Sequence, residues 1–275
     1  MKSISSISPS EITSLCIGKF DGVHIAHQML LKQNDRNGGV LKIVMDVPPF
    51  LTPCQEDYIS CPIFRIDLKE IKEMGASDFS LFLKQRFPKL AKIIVGYDFR
   101  FGKNRSYGID DLRAFFEVCV VDEVKVGGVS VHKQKIISHL LAGEILEANA
   151  MLGRRYEIKG HIIRGQGIGS KECVPTLNLE VRDYALPKSG VYATLSEVDG
   201  VVYKSVSFLG HRLSSDGQYA IETHLLDACI VPKVQEVRIS FVDFIRENKR
   251  FEALELLKEQ IQRDIEQSRL LLSRF

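Results

Sequence analysis

Two histidines at the end of a predicted strand are the residues of this chain best suited to chemistry. Residues 18–27 read G-K-F-D-G-V-H-I-A-H, with an apolar run before them that predicts a buried strand and a run after them that predicts a helix. Such a turn presents backbone N–H groups and the positive end of a helix to a phosphate. His24 and His27 are three residues apart and share one face of the first helical turn. Two imidazoles directed at one point suit a nucleotide phosphate whose charge grows during reaction. A glycine-rich turn with two surface histidines is the simpler alternative.

A second loop of the first half follows another predicted strand and has a composition suited to a nucleotide. Gly96 allows close backbone approach, and Phe99 and Phe101 offer apolar surface to a flat ring. Arg100 or Arg105 of the same loop is placed to meet a phosphate. Ligands of open α/β sheets bind at the carboxyl ends of the strands, where this loop begins. The alternative is a loop held by two core phenylalanines.

The second half has its own candidate site. Glycines cluster in one segment, at Gly160, Gly165, Gly167 and Gly169. A flexible glycine-rich loop can lie close to phosphates. Thr176 and Asn178 follow, two residues apart on a predicted strand, so their side chains share one face. A hydroxyl and an amide oxygen are hard ligands that suit Mg²⁺ and its phosphate. On its own the pair predicts a polar strand edge, but the glycine-rich segment before it favours the metal site.

The first half of the chain alternates strands and helices, which predicts a parallel sheet covered by helices on both faces. The predicted strands are Ser14–Gly18, Gly39–Asp46, Ala91–Val95 and Val118–Val121. The predicted helices are Ile25–Arg36, Ser77–Arg86, Ile109–Phe116 and Gln134–Ala150, the last with a break at Gly143.

The pattern changes near Met151 to short β-rich runs, which predicts a small antiparallel β-barrel. These runs are Tyr156–Ile163, Thr176–Val181, Val191–Val198, Val201–Leu209, Tyr219–Leu226 and Glu236–Asp243. Asp199-Gly200 between two of them is a hairpin signal. A terminal helix from Glu252 to about Ser268 carries an apolar stripe, Leu254, Leu257, Ile261 and Ile265, that should pack on the barrel. We therefore predict two domains, residues 1–150 and 151–275.

Composition excludes several classes of protein. A net charge of +2 over 275 residues, with scattered basic residues, does not suggest a nucleic-acid binder. No apolar stretch approaches the ~20 residues needed to cross a bilayer, and the N-terminus has no signal-peptide pattern. The six cysteines are dispersed and predict free thiols in a reducing cytoplasm rather than disulfides or metal ligands. The sequence does not indicate an oligomer and does not exclude one.

The motifs of the first half resemble those of bacterial FAD synthetases, the bifunctional riboflavin kinase/FMN adenylyltransferases. The histidine turn resembles their HxGH signature, with Ala26 in place of the usual glycine, and residues 96–105 resemble their G-x-D-F-R-F-G-x-x-R element. The family's S-S-T-x-x-R signature falls on residues 132–137, where the hydroxyls and the arginine are missing but Lys133 and Lys135 keep positive charge. Its Asp-Pro-His-Pro is also altered, in residues 46–49. The resemblance implies a Rossmann-like nucleotidylyltransferase domain with His24 and His27 as catalytic residues. It implies ATP or phosphate binding by Gly18, Phe20, Asp21, Gly22, Gly96, Asp98, Arg105, Lys133 and Lys135, and flavin binding by Phe99 and Phe101.

The second half resembles a riboflavin kinase domain. Residues 160–179 resemble the family's glycine-rich signature ending in P-T-A-N-L, although several of its positions are changed, and I-E-T-H-L-L-D at 221–227 matches its V-E-x-H-L-L-D strand. By this match Glu222 is the base that deprotonates the ribityl hydroxyl, a role that phosphoryl transfer to an alcohol requires. The resemblance further implies ATP binding by Gly160, Gly165, Gly169, Thr176 and Asn178, with the last two as metal ligands. It implies flavin binding by Tyr192, Arg246 and Phe251.

Three functions remain open at this point. The first is a two-site enzyme that converts riboflavin and ATP to FMN and then FMN and ATP to FAD, with Mg²⁺ as cofactor. The second is a riboflavin kinase whose first domain has lost adenylyl transfer, which the missing S-S-T-x-x-R element favours. The third is a flavin- or ATP-binding module without turnover, against which the retention of histidines and a carboxylate base argues, because binding alone needs no base. All three expect small-molecule substrates and neither nucleic-acid nor membrane partners.

Overall fold

The chain folds into two compact units, which divide between Lys133 and Gln134. The computed structural model describes residues 7–45, 47–163, 174–213, 217–228, 232–233 and 235–275. The structure thus assigns residues 134–150 to the second unit, whereas the sequence pattern places the boundary after residue 150. Hydrogen bonds explain the difference: the Lys188 amide donates to the Leu140 carbonyl at 2.9 Å, and the Asn149 side chain donates to the Phe241 carbonyl at 3.0 Å.

The first unit contains a five-stranded sheet in which all paired strands are parallel, as predicted. Its strands are β1 (Ser14–Gly18), β2 (Gly38–Val44), β3 (Ile63–Asp67), β4 (Lys92–Gly96) and β5 (Glu117–Val121), in the order β3-β2-β1-β4-β5. A small hairpin follows, made of β6 (Lys125–Val126) and β7 (Val129–Ser130). The helices are α1 (Ile25–Leu31), α2 (Leu68–Ile71), α3 (Ala76–Arg86) and α4 (Ile109–Arg113). The central strand β1 is almost entirely buried, so the residues that follow it start from a fixed position.

Helix α1 ends five residues before the predicted end at Arg36, because Asn34 takes up other hydrogen bonds. The Asn34 side chain accepts from the Ser14 hydroxyl at 3.2 Å and donates to the Gly39 carbonyl at 3.3 Å. These bonds tie the end of the α1 connection to β1 and β2. Asparagine side chains commonly compete with helical hydrogen bonds in this way.

The second unit begins with two helices, α5 (Lys133–Ala142, whose first residue belongs to the first unit) and α6 (Ile145–Leu152). They are separated at Gly143, as predicted. A closed six-stranded antiparallel barrel follows in the order β10-β11-β12-β9-β8-β13. Its strands are β8 (Tyr156–Ile163), β9 (Leu177–Glu180), β10 (Gly190–Val198), β11 (Val201–His211), β12 (Tyr219–Leu225) and β13 (Glu236–Glu247). The hairpin between β10 and β11 turns at Asp199-Gly200, where both residues have positive φ (53° and 78°) as a two-residue turn of this kind requires.

The terminal helix α7 (Leu254–Leu271) packs against the barrel strands β10, β11 and β13, as predicted. Ile265 is buried and Ile261 packs against the same cluster, which also includes Leu272 beyond the predicted stripe. Leu254 at the start of the helix is 36% exposed, so the stripe contacts the barrel only from its middle onwards.

One layer of the barrel interior is polar. It contains five fully buried hydroxyl groups that form hydrogen bonds with one another. Within the part of the chain that the structure describes, these hydroxyls form a closed ring with oxygen–oxygen distances from 2.7 to 3.0 Å: Thr194, Ser205, Ser196, Thr223 and Ser207. A ring that runs in one direction lets each hydroxyl donate once and accept once, so no buried polar group is left unsatisfied.

We expect Ser205→Ala to destabilise the second unit by about 1–3 kcal/mol, because it breaks the ring and leaves Thr194 and Ser196 each short of a partner. Urea unfolding followed by circular dichroism measures the change. Ser273→Ala removes the same oxygen atom from an exposed position of the same unit and is the control. Equal midpoints for the two variants would show that the ring contributes nothing to stability.

Candidate functional sites

The turn between β1 and α1 brings the two predicted catalytic histidines together. The imidazole rings of His24 and His27 stack with 3.7 Å between centroids and 20° between planes. His24 is the N-cap residue of α1 and is only 6% exposed. The ring of Phe20 lies 4.9 Å from that of His27 and is fully buried. Phe20, which was predicted to bind ATP, therefore lies in the core beneath the histidine pair, where it supports His27.

The backbone of this turn is strained. Phe20, Gly22 and Val23 have φ angles of 52°, 86° and 40°. Positive φ is unfavourable for a β-branched residue such as Val23, and backbone strain of this kind clusters at functional sites. Gly18 precedes the turn, at the end of β1, and the phenyl ring of Phe20 would lie 3.3 Å from a Cβ atom there. The two glycines thus allow the tight turn that presents the histidines.

Asp21, one of the predicted phosphate-binding residues, organises the loop opposite the turn. Its Oδ1 accepts from the backbone amides of Leu51 and Thr52 at 2.9 and 3.1 Å. Its Oδ2 lies 2.6 Å from the Nζ of Lys133, and the Asp21 side chain is 11% exposed. These contacts hold residues 51–52 and Lys133 in place, and phosphate binding at Asp21 remains a prediction.

Lys133 reaches the histidine turn, as the sequence predicts, but its charge is compensated there. Besides the ion pair with Asp21, its ammonium donates to the Pro49 carbonyl at 2.9 Å and lies 5.5 Å from the centre of the Phe50 ring. Lys135 is half-buried on α5. Phosphate contacts by either lysine remain predictions.

The loop after β4 divides into a buried part and an exposed part. Phe101 is buried in the core, with ring centroids 5.0 Å from Phe79, and Phe99 packs beside it at 5.8 Å. Phe101 is thus a core residue, which was the alternative interpretation of this loop. Phe99 is half-buried. Gly96 ends β4, and Asp98 and Arg105 are exposed beyond it. Their contacts with a nucleotide remain predictions.

In the second unit, the barrel places Glu222 and Asn178 directly opposite each other. Glu222 lies on β12 and pairs in register with Asn178 on β9. Thr176 precedes β9 and is half-buried. His224, two residues after Glu222, makes a hydrogen bond through Nδ1 with the carbonyl of Pro175 at 2.8 Å, which fixes the start of the Thr176 segment. The predicted carboxylate and amide therefore lie opposite each other, and Thr176 precedes the same strand as Asn178.

Arg212 joins this group, although no motif or spacing in the sequence selects it. Its Nε donates to Glu222 Oε1 at 2.6 Å and its Nη2 donates to Asn178 Oδ1 at 2.9 Å. The Arg212 and Glu222 side chains are 20% and 23% exposed. The residue directly follows β11, and only the antiparallel pairing of β11 with β12 brings it to the site.

Two predicted ligand residues of this unit turn out to be part of the barrel framework. Tyr192 is fully buried between Phe241 and Phe244, its hydroxyl donates to the Lys188 carbonyl, and burial raises its pKa. These contacts make it part of the barrel core, and its contact with a flavin remains a prediction. Gly160 lies inside β8, where a Cβ atom would be 2.8 Å from a methyl group of Val181, so the absence of a side chain serves packing. Gly165 and Gly169 lie outside the described residues.

Arg246 and Phe251, the predicted flavin contacts near the end of the chain, lie side by side between β13 and α7. The Arg246 Cζ is 5.8 Å from the centre of the Phe251 ring. Its guanidinium also makes a two-pronged ion pair with Asp264 of α7, at 2.9 Å from Nε to Oδ1 and 2.7 Å from Nη2 to Oδ2. Asp264 is only 4% exposed. Arg246 therefore joins α7 to the barrel, and its contact with a flavin remains a prediction.

The described residues add little to the list of candidate metal or membrane sites. No group of three or more His, Cys, Asp or Glu side chains among them is arranged to hold a metal ion. The described cysteines Cys16, Cys54, Cys61 and Cys119 are free, and burial raises the pKa of the Cys16 thiol. No helix in the described ranges combines the length and apolar character needed to cross a membrane.

Comparison with known proteins gives one consistent result for the sequence. Residues 152–272 match the family model for riboflavin kinase. Bifunctional riboflavin kinase/FMN adenylyltransferases match nearly the whole chain. The protein from Listeria monocytogenes is 27% identical over 93% of this chain and 91% of its own length, and that from Escherichia coli K12 is 28% identical over 94% and 92%. Residues 152–272 are thus similar to riboflavin kinase, and the chain as a whole is similar to the bifunctional enzymes.

A third relative and one solved structure also match nearly the whole chain. The enzyme of the same name from Bacillus subtilis is 26% identical over 91% of this chain and 89% of its own length. A crystal structure of a macrolide-efflux protein from Streptococcus pneumoniae superimposes with a TM-score of 0.84 over 98% of this chain and 97% of that one, at 21% identity. At that identity the structural likeness shows the fold alone.

Proposed function

We propose that this chain phosphorylates riboflavin with ATP to FMN in its barrel unit and adenylylates FMN with ATP to FAD in its parallel-sheet unit. The observation that carries the proposal is the pairing of Glu222 with Asn178 across β12 and β9, beside Thr176. A carboxylate next to two hard oxygen donors is what transfer of a phosphoryl group to an alcohol requires. The curated relatives named above carry both activities in their names.

In the kinase reaction Glu222 accepts the proton of the ribityl hydroxyl as its oxygen attacks the γ-phosphorus of ATP. The new O–P bond forms as the bond to the β-phosphate oxygen breaks, and ADP leaves with the electron pair. The donor set of Thr176 and Asn178 fits Mg²⁺, a hard cation that is commonly held by one or two protein oxygens together with phosphates. When bound, the ion would neutralise charge on the phosphates. The two side chains would hold it from the strand edge opposite Glu222.

In the adenylyl transfer an oxygen of the FMN phosphate attacks the α-phosphorus of ATP and pyrophosphate leaves. This nucleophile is already ionised, so the histidine pair has no proton to remove from it. His24 and His27 instead donate hydrogen bonds to phosphate oxygens as charge develops on them. The stacked rings and the strained turn between β1 and α1 support this role, because they fix both donors before the substrate arrives.

A monofunctional riboflavin kinase is the second candidate, and one observation favours it. The lysine that replaces part of the S-S-T-x-x-R element, Lys133, is already paired with Asp21 and the Pro49 carbonyl. If the ion pair between Lys133 and Asp21 persists when substrates bind, the first unit lacks the free cation that the arginine of the family signature supplies. Cytoplasmic location, oligomeric state and the identity of the metal remain predictions.

We expect the two activities to separate when the chain is divided according to its structure. A fragment of residues 134–275 should fold and make FMN but no FAD. A fragment of residues 152–275 should be less stable, because it lacks Ile145, Ala148 and the Asn149 side chain that accepts from the Tyr156 amide at 2.6 Å. Thermal unfolding and chromatography of the flavins measure both effects. A folded fragment 134–275 without riboflavin kinase activity, alongside an active full chain, would refute the assignment of the kinase to the barrel unit.

A further inference from the structure

The guanidinium of Arg212 contacts the two groups that the proposed kinase reaction needs to be free. Arg212 contacts Oε1 of Glu222, the proposed base, and Oδ1 of Asn178, the proposed metal ligand. We call this three-residue arrangement the arginine clamp. We propose that Arg212 is a positioning residue that closes the kinase site in the absence of nucleotide and is displaced when a magnesium nucleotide binds. This proposal rests on the kinase function proposed above.

The arginine clamp and a bound metal ion exclude each other, because both use the side-chain oxygen of Asn178. A guanidinium remains charged in proteins at any ordinary pH and has no acceptor. The Asn178 amide has one oxygen, and in the clamp that oxygen accepts from Arg212. Two cations bonded to the same oxygen would repel each other strongly in a partly buried site. Binding of the metal at Asn178 therefore requires the guanidinium to leave that oxygen.

The local backbone allows the arginine to move without unfolding the loop. The Arg212 amide donates to the Gln218 carbonyl at 2.9 Å, and the Gly217 amide donates to the Arg212 carbonyl at 3.1 Å. These bonds hold the main chain of Arg212 at the end of β11. Opening the clamp thus needs rotation of a long side chain that is still 20% exposed. While the clamp is closed, the Arg212 guanidinium also keeps the Glu222 carboxylate opposite Asn178.

An equilibrium of this kind lowers the apparent affinity for the nucleotide by the fraction of molecules that are open. Removing the cation should therefore tighten binding. We expect Arg212→Gln to bind Mg²⁺·ADP roughly 3- to 10-fold more tightly than the parent chain, measured by isothermal titration calorimetry on the full-length protein. Arg238→Gln is the control, because Arg238 is also a partly buried barrel arginine but pairs with Glu157 and Glu197 on β8 and β10.

The possible results separate the clamp from other roles of Arg212. Weaker binding by Arg212→Gln would overturn the proposal, since it would mean that Arg212 contacts the phosphates. Binding equal to that of the parent chain would also overturn it, because the ion pair would then not compete with the nucleotide. If Arg212→Gln does not fold, Arg212→Lys replaces it; lysine lacks the planar fork with which arginine contacts both acceptors, and a smaller gain in affinity would support the clamp. A parent chain that binds no Mg²⁺·ADP and makes no FMN would refute the kinase function itself, and the clamp with it.

Discussion

Glu222→Gln should lower the kcat of FMN formation by roughly 10²- to 10⁴-fold, the usual contribution of a general base. Glutamine keeps the size of the side chain and an oxygen for Arg212, so the barrel should remain folded. It has no carboxylate to accept the proton of the ribityl hydroxyl, which is the step that the substitution removes. Stopped-time assays with riboflavin and ATP, separated by chromatography, measure the rate.

The binding of riboflavin should change little in the same variant, because the proposed role is in proton transfer. Glu197→Gln is the matched control, since Glu197 is a carboxylate of strand β10, which β11 separates from β12, and it pairs with Arg238 outside the site. FMN formation at the parent rate by Glu222→Gln would show that another group removes the proton. An equal loss in both glutamine variants would point to a general weakening of the barrel.

His24→Ala and His27→Ala should each lower FAD formation by roughly 10²- to 10³-fold, the cost of losing one preorganised donor to the developing charge. The double variant should abolish it. FMN formation is the internal control, because the kinase site is built from the barrel unit and contains neither histidine. Assays that start from FMN and ATP isolate the second reaction.

Loss of FMN formation together with FAD formation would contradict this expectation, because it would mean that the histidines stabilise the whole chain. FAD formation at the parent rate without both histidines would show that the turn after β1 is not the adenylylation site. The first outcome is detectable separately as a lower unfolding temperature.

The sequence predicted the framework well because local patterns determine it. Alternation of strands and helices gave the parallel sheet, and evenly spaced β-rich runs gave the barrel, including the Asp199-Gly200 turn and the break at Gly143. The strand β3 was missed because it has no continuous buried run: of its five residues only Ile66 is buried, whereas the equally short β1 and β4 are buried along most of their length. The predicted end of a helix was wrong where a side chain competes for backbone hydrogen bonds, as the Asn34 side chain does after α1.

The sequence was less informative about which site residues remain accessible. Phe20, Phe101 and Tyr192 match family motifs, yet all three are buried, because an aromatic residue beside a site commonly supports it from the core. The roles of Asp21 and Arg212 depend on partners 112 and 34 positions away in the chain, at Lys133 and Asn178. No spacing rule reaches that far, and only the folded chain brings such pairs together.

The most direct test of the account is to incubate the full chain with riboflavin, excess ATP and Mg²⁺ and to follow the flavins over time by chromatography. We predict that riboflavin is consumed, that FMN appears first and that FAD forms from it more slowly, because the cation near the histidine turn is already paired with Asp21. Accumulation of FMN without any FAD would leave only the kinase function. A chain that leaves riboflavin unchanged would contradict the central claim.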